Sequence, residues 1–261
     1  PETVRCEPDE RAYILQSLGF VFPEIAISDD EIVFQFAGVR PLPASEDKMT
    51  GRIPRDHFCE VIEGEVAVVC MVGGKWTTFR SFGAMTADLV LARLGLSRTR
   101  NTEDLAIGGG RNFPADPQEW LAALAARHDL PIATAGRLFE RYGTAAEVVA
   151  AFMAAGPDAE VGRSGHSRRE LLYLIGTERV ETLSDLLLRR TAIGISGRLS
   201  LGVIDATLDL LAAERGWAAD RQAAERAEFL ALLARNNGLD EATLLQRDTR
   251  ESPPWESRRS A

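Results

Sequence analysis

The chain has 261 residues, 45% of them hydrophobic, with 30 basic against 39 acidic side chains and a formal net charge of −9. That is enough apolar material for one large or two modest cores. The acidic balance argues against general nucleic-acid binding, which needs a positive footprint, and no apolar run approaches the length that spans a bilayer. Cys6, Cys59 and Cys70 are odd in number and widely spaced, so they outline neither a disulfide framework nor a zinc site and fit a reduced cytosol. His57, His128 and His166 are scattered and form no ligand pattern.

In chain order, a helix is expected from about Pro8 to Ser17. Glu31 to Ala37 reads as a strand that runs into Gly38-Val39-Arg40-Pro41-Leu42. Ile53-Pro54-Arg55-Asp56-His57 follows. Each arginine stands beside a proline, which stiffens the local chain and limits where the guanidinium swings. Two arginines held this way suit a phosphate or carboxylate, bound through forked, charge-assisted hydrogen bonds. The plainer alternative pairs them on the surface with Glu46, Asp47 or Asp56.

Residues 66–80 read Val-Ala-Val-Val-Cys-Met-Val-Gly-Gly-Lys-Trp-Thr-Thr-Phe-Arg. The apolar run predicts a strand buried on both faces, with Cys70 as a small buried hydrophobe. Gly73 and Gly74 let the backbone turn sharply. Thr77 or Thr78 caps a helix that continues to about Gly95. Unpaired amides and the positive dipole end at such a corner attract electron-rich groups, and Lys75 adds a full charge. An ordinary strand–turn–helix corner is the competing reading.

After Pro114 almost every signal is helical. Asp116-Pro117-Gln118-Glu119 supplies an N-cap, an N1 proline and an N3 glutamate. Thr144-Ala-Ala-Glu147 reads as a capping box whose helix stops at Gly156-Pro157, and Thr182-Leu-Ser-Asp185 as a weaker one. Leu171, Leu174 and Ile175, then Leu183, Leu186 and Leu187, repeat at helical spacing. A helix over Ser200–Arg215 ends at Gly216, and a last one runs from about Asp220 to Arg235. Arg168, Arg169, Arg189 and Arg190 allow a helix-turn-helix binder, but acidic neighbours and the acidic chain favour a solvated face. The expected division is a mixed region over 1–100, a linker over 101–115, an α-helical domain over 116–236 and a disordered tail over 237–261. The fold class is therefore α+β.

Ala-Gly-Val-Arg-Pro-Leu, Ile-Pro-Arg-Asp-His and Gly-Gly-Lys-Trp-Thr-Thr-Phe-Arg, in this order, resemble FAD-dependent glycerol-3-phosphate dehydrogenases. Arg141-Tyr142-Gly143, Glu170-Leu-Leu-Tyr-Leu-Ile175 and Asp185-Leu-Leu-Leu-Arg-Arg-Thr191 agree with that family's helical C-terminal domain. The resemblance covers roughly residues 1–217. The family's opening strand–Gly-x-Gly-x-x-Gly–helix unit, which holds the FAD pyrophosphate, is absent, and Gly108-Gly109-Gly110 lacks its spacing. With Pro1 in place of a starting Met, the chain reads as the C-terminal half of such an enzyme, end of the FAD/substrate region plus helical domain, and inactive by itself.

The resemblance implies oxidation of sn-glycerol 3-phosphate to dihydroxyacetone phosphate. Hydride passes to flavin N5 and electrons to a quinone, in a bacterial protein located in the cytoplasm or peripherally at the inner face of the membrane. A homodimer is among the implied assemblies. On this alignment Arg40 and Arg55 bind the substrate phosphate. Lys75 lies near flavin and substrate, Arg40 and Lys75 being the catalytic candidates. Gly38, Gly73, Gly74, Lys75, Trp76, Thr77 and Thr78 contribute to the cofactor site, amides of the 74–78 turn facing the flavin N1–C2=O edge. Packing is the plainer role for Trp76 and a helix-surface cation for Arg80, while His57 beside Asp56 leaves the base unassigned. Calcium-binding EF-hand loops are absent from the sequence. Two alternatives stay open: the oxidase relative that uses oxygen, and a stand-alone helical binding or regulatory module.

Overall fold

The computed structural model describes residues 4–39, 56–73 and 75–249. The chain divides into a helical unit, Pro1–Gly38 with Gly108–Ala261, and a small unit, Val39–Ile107. The first 38 residues thus group with the helices of the second half.

In the helical unit, α1 (Pro8–Val21) opens with proline in its first turn, and the Glu7 amide donates to Glu10 Oε2 at 3.0 Å. It buries no residue, leaving Tyr13 and Phe20 exposed. The expected strand at 31–37 is absent. Asp29–Glu31 forms a 3₁₀ turn, and 32–39 has no regular secondary structure and joins no sheet. Alternation of Ile32, Phe34 and Phe36 has the period of a strand, yet its backbone partners are side chains and a helix end rather than a neighbouring strand.

Asp116 accepts from the amides of Gln118 and Glu119 at 2.9 and 3.2 Å, starting α3 (Pro117–His128) as its cap sequence predicts. Then come α4 (Ile132–Tyr142) and α5 (Ala146–Ala154). Thr144 makes no cap. Its hydroxyl donates to Gly109 O at 3.0 Å and Arg111 O at 2.6 Å, tying the glycine triplet to the α4–α5 corner. There a Cβ on Gly109 would stand 1.8 Å from Tyr142 O, so the triplet serves a close backbone approach. Leu124, Leu138, Val149 and Met153 form this unit's first core cluster.

The second and larger cluster draws on α6 (Arg168–Thr177), a π-helical segment (Asp185–Arg190), α7 (Leu201–Arg215), α8 (Ala219–Asn237) and α9 (Glu241–Thr249). Leu171, Leu174, Ile175, Leu183, Leu186 and Leu187 are buried in it, as their spacing predicts. Asp185 Oδ2 accepts from the Thr182 amide at 3.0 Å and the Asp185 amide donates to Thr182 Oγ1 at 3.2 Å, so that box does form. Ser200 caps α7, which stops at left-handed Gly216. The stretch read as a disordered tail is helical through Thr249. Leu244 is buried, and the Asp248 carboxylate accepts from the Gly202 amide at 3.1 and 3.0 Å, a second cap on α7.

The small unit holds β1 (His57–Ile62) and β2 (Val68–Gly73), antiparallel with His57 opposite Gly73 and Ile62 opposite Val68. β1 has no counterpart among the elements expected from the sequence. β2 is not buried on both faces: Val68 and Met71 are about half exposed, and Cys70 is half-buried. A 3₁₀ turn, Trp76–Thr78, leads into α2 (Phe79–Arg93), which ends at left-handed Gly95 with the Leu96 amide returning to Leu91 O. Phe82 is the buried hydrophobe of this unit among the described residues.

Candidate active site

The glycine corner of the small unit is built from backbone geometry first. Gly73 has φ +75°, and a Cβ there would lie 2.5 Å from Asp56 O, so both conformation and space demand glycine. Gly74, the other half of the pair, lies outside the described residues, as do Arg40 and Arg55. Past the corner the Lys75 amide donates to Thr78 Oγ1 at 3.1 Å, and the Thr78 amide donates to Lys75 O at 2.9 Å. Those bonds close the 3₁₀ turn. They leave the Trp76 and Thr77 amides at its head, ahead of any acceptor inside the turn.

Lys75, Trp76 and Thr77 are exposed and Thr78 is half-buried. Trp76, 89% exposed, tilts against the Phe79 ring at 5.8 Å and is no core residue. Lys75 and Thr78 line a recess of about 150 Å³ with Asp56 and His57. Asp56 Oδ1 accepts the His57 amide at 2.9 Å and lies 3.7 Å from His57 Nδ1, while the imidazole ring rests 4.6 Å from the Phe82 ring. The structure therefore brings Gly73, Lys75 and Thr78 to one place with the Asp56–His57 pair. Arg80 is an exposed helix cation reaching Thr102 Oγ1 at 3.4 Å. Gly38 belongs to the helical unit, and open space around it gives no steric reason for glycine. Lysine, two turn-head amides and an imidazole offer donors to an electron-rich edge and a group able to hold a proton.

A second polar cluster lies inside the helical unit, joining Arg141, Tyr142 and Glu170 from two of the segments that carry the family resemblance. Glu170 in the first turn of α6 is buried, and its carboxylate accepts Arg141 Nη1 at 2.8 and 2.9 Å and Tyr142 Oη at 2.7 Å. Arg141 Nη2 also donates to Gly165 O at 2.7 Å. His166, buried, has Nε2 4.0 Å from Glu170 Oε1 and Nδ1 3.2 Å from Ser164 O. Burial, then the Glu170 charge and hydrogen bond, push the Tyr142 phenol far above its ordinary range. Burial pushes the His166 imidazole below its ordinary value; Glu170 opposes this, and Arg141 and Arg198 add to it. The cluster borders a recess of about 270 Å³. An arginine–tyrosine pair ending α4 and a glutamate in the first turn of α6 are the signal for their meeting, across the intervening α5.

His166 has a pH consequence. Its folded pKa is depressed, so the neutral form is favoured in the fold, while the unfolded chain takes up a proton below about pH 6.5. Stability is full above that value and falls as pH drops toward the folded pKa. Denaturant midpoints measured between pH 8 and 5 should decline across that window, and His166→Asn should flatten the decline. Burial works to raise Glu147 and Asp185, but hydrogen bonds win and hold both low: from His128 and Arg127 to Glu147, and from Thr182, Glu181 and Arg189 to Asp185. Both therefore act only at more acid pH.

The arginine pairs read as a solvated face are used that way. Arg189 meets Asp185 at 2.7 Å and Arg190 meets Glu178 at 3.2 Å. Arg169 lies over the Phe152 ring and donates to Phe152 O at 2.8 Å. Among the described residues no group of histidine, cysteine and acidic side chains is arranged to hold a metal ion, and no helix is long and apolar enough to cross a membrane.

Comparison with known proteins gives this arrangement its context. A family model described as the C-terminal domain of alpha-glycerophosphate oxidase matches residues 100–222, which covers most of the helical unit. The aerobic glycerol-3-phosphate dehydrogenase of Staphylococcus saprophyticus is 30% identical over 193 residues, 70% of this chain and 34% of the relative. That of Staphylococcus aureus strain USA300 is 28% identical over 220 residues, 78% of this chain and 38% of the relative. The glycerol-3-phosphate dehydrogenase of Bacillus halodurans, solved in complex with FAD, superposes with a TM-score of 0.68 at 24% identity, covering 89% of this chain and 46% of that one. The helical unit thus has the fold and family match of the C-terminal domain described for alpha-glycerophosphate oxidase. The chain belongs to the glycerol-3-phosphate dehydrogenase family, corresponds to its C-terminal part, and spans about a third of the length of the curated relatives it matches.

Proposed function

We propose that this chain supplies the C-terminal part of an FAD-dependent glycerol-3-phosphate dehydrogenase. The observation that carries the reading is the 30% identity over 193 residues to an aerobic glycerol-3-phosphate dehydrogenase. The Gly73–Thr78 corner supports it, because its exposed cation and turn-head amides fit an electron-rich cofactor edge. Its recess of about 150 Å³ suits one edge of a flavin, not a whole dinucleotide. Bound FAD would supply the hydride acceptor for the C2 alcohol.

Lys75 and the Trp76 and Thr77 amides would hold the cofactor edge where negative charge develops. Arg40 and Arg55 would bind the substrate phosphate and orient the C2 hydroxyl toward that edge. His57, with its ring against Phe82, lines the same recess as Lys75 and Thr78. Electrons would leave to a quinone at the inner face of the membrane. Oxygen as acceptor is the second reading, favoured by the oxidase description of the matching domain.

The test uses the full-length enzyme. Arg40→Ala or Arg55→Ala should weaken glycerol 3-phosphate use by about 2–4 kcal/mol in transition-state binding, since a charge-assisted pair is lost. Use of glycerol, which has no phosphate, should fall far less, and flavin content should hold. Lys75→Ala should instead slow flavin bleaching in a single turnover at saturating substrate. Equal losses for glycerol and glycerol 3-phosphate would refute the phosphate role of both arginines.

A further inference from the structure

The helical unit holds a recess of about 460 Å³ that no step of the proposed reaction uses. Small-molecule sites run to roughly 300–1,000 Å³ and pair apolar walls with a few placed polar groups. Phe34 and Phe36, two residues apart in the segment that joins no sheet, both line this recess. Leu188 of the π-helical segment, Ile195 and Leu232 of α8 complete its apolar wall. Phe36 and Ile195 are 69% and 56% exposed, apolar surface of the kind that marks a binding site. Every described lining residue belongs to the helical unit, and none to the glycine corner.

One polar group of the wall is left over. Asn237, the last residue of α8, is 7% exposed, and its Nδ2 donates to Gln35 O at 2.9 Å. Its carbonyl accepts the Gln35 amide at 3.4 Å. These two bonds fix which end of the side-chain amide is the oxygen. That oxygen, Oδ1, is buried and has no hydrogen-bond partner among the described residues. An acceptor buried this way costs free energy that a donor restores. Ser184, half-buried on the same recess, makes no side-chain cap bond. Arg189 is the charged residue of the lining, and it is already paired with Asp185 at 2.7 Å. An ionised ligand would therefore find no uncommitted counter-charge in the described lining.

We propose that this recess binds a small neutral aromatic molecule carrying an N–H or O–H donor. Its ring packs against Phe34, Phe36 and Leu232, and its donor meets Asn237 Oδ1. Ring-to-ring contacts gain more than area burial alone, so two phenylalanines in one wall favour an aromatic ligand over an alkyl chain. A water molecule would satisfy Oδ1 and leave the apolar wall wet, whereas an aromatic donor answers both. A site with a buried polar group rejects an analogue that lacks the matching group, so the donor is what this one selects.

Equilibrium dialysis of the 261-residue chain against two probes tests this. Indole has a ring N–H, and benzofuran has nearly the same shape with an oxygen in its place. Indole should bind roughly tenfold more tightly than benzofuran. Phe36→Ala, at an exposed side chain, should weaken both by roughly fivefold with the thermal midpoint unchanged. Leu232→Trp fills the recess and should abolish both; if that variant does not fold, Phe36→Ala decides. Equal affinity for the two probes overturns the proposal and assigns Asn237 Oδ1 to a water. Indole binding that is unaltered in Phe36→Ala lies elsewhere on the chain and overturns it as well, and so does the absence of any indole binding.

Discussion

Glu170→Ala is expected to cost the helical unit about 3–5 kcal/mol, the range for removing one partner of a buried ion pair. The residue joins the end of α4 to the start of α6. Its carboxylate sits in the first turn of α6, where the dipole favours an anion, and Arg141 sits in the last turn of α4, where it favours a cation. Removing Glu170 strands the Arg141 guanidinium and the Tyr142 hydroxyl, both part-buried, and opens space beside the recess already there. For a unit of this size the loss corresponds to a fall in melting temperature of roughly 10 °C.

Glu170→Gln should fall between wild type and alanine, since an amide keeps an acceptor and loses the charge. Arg141→Ala should cost a similar amount, and the double variant less than the two single costs added, because each single change strands the other charge. Urea denaturation followed by helical circular dichroism measures all four. A cost under about 1 kcal/mol for Glu170→Ala would mean that α4 and α6 are held by apolar packing alone.

The helical half was legible in the sequence because its signals are local. Asp116-Pro117, Ser200 and Gly216 sit where caps must sit, and Leu171, Leu174, Leu183 and Leu187 face the core at the spacing a helix imposes. What was misread depends on distant partners. Ile32, Phe34 and Phe36 alternate like a strand, but the carbonyls of Val33 and Gln35 between them are met by the Arg247 and Asn237 side chains, far along the chain, in place of a neighbouring strand. Glu241–Thr249 is polar enough to pass for a tail, and its order comes from Leu244, Arg247 and Asp248 reaching α7 and the loop before it. Thr144 has the residues of a capping box, yet carbonyls of the Gly109 loop claim its hydroxyl.

In the candidate site the same division holds. Gly73, Lys75 and Thr78 are neighbours in sequence, so their meeting could be read directly. The approach of Asp56 and His57 follows from a hairpin whose first strand, His-Phe-Cys-Glu-Val-Ile, alternates in burial but is interrupted by a glutamate. The run from Val68 to Val72 looked doubly buried because it is apolar throughout. Its exposed residues, with Phe58, Ile62 and Trp76, leave an apolar surface for which the described residues of this unit supply no cover.

Gly73→Ala is expected to disrupt the end of the hairpin and, with it, the corner that presents Lys75. An L-residue at φ +75° carries about 1–2 kcal/mol of left-handed strain. The new Cβ would also meet Asp56 O at 2.5 Å, a backbone atom that cannot swing aside as a side chain would. Relief requires the His57–Gly73 pair, the last in the ladder, to open. A two-stranded hairpin is marginal by itself, and this one has Phe82 as its buried anchor, so it has little stability from which to absorb the strain. Opening that pair moves Asp56 and His57 away from Lys75 and Thr78, which together line the recess. Hydrogen exchange should therefore show the β1–β2 amides losing protection while α6 and α7 keep theirs. In the full-length enzyme, flavin reduction should fall by more than in Lys75→Ala, since the whole corner is displaced rather than one charge removed. Gly83→Ala, in α2 of the same unit, is the matched control, because nothing lies within 4 Å of its added Cβ, and it should leave the ladder and flavin reduction near wild type. Full ladder protection in Gly73→Ala would show that the corner tolerates a side chain and that its glycine is not what shapes the site.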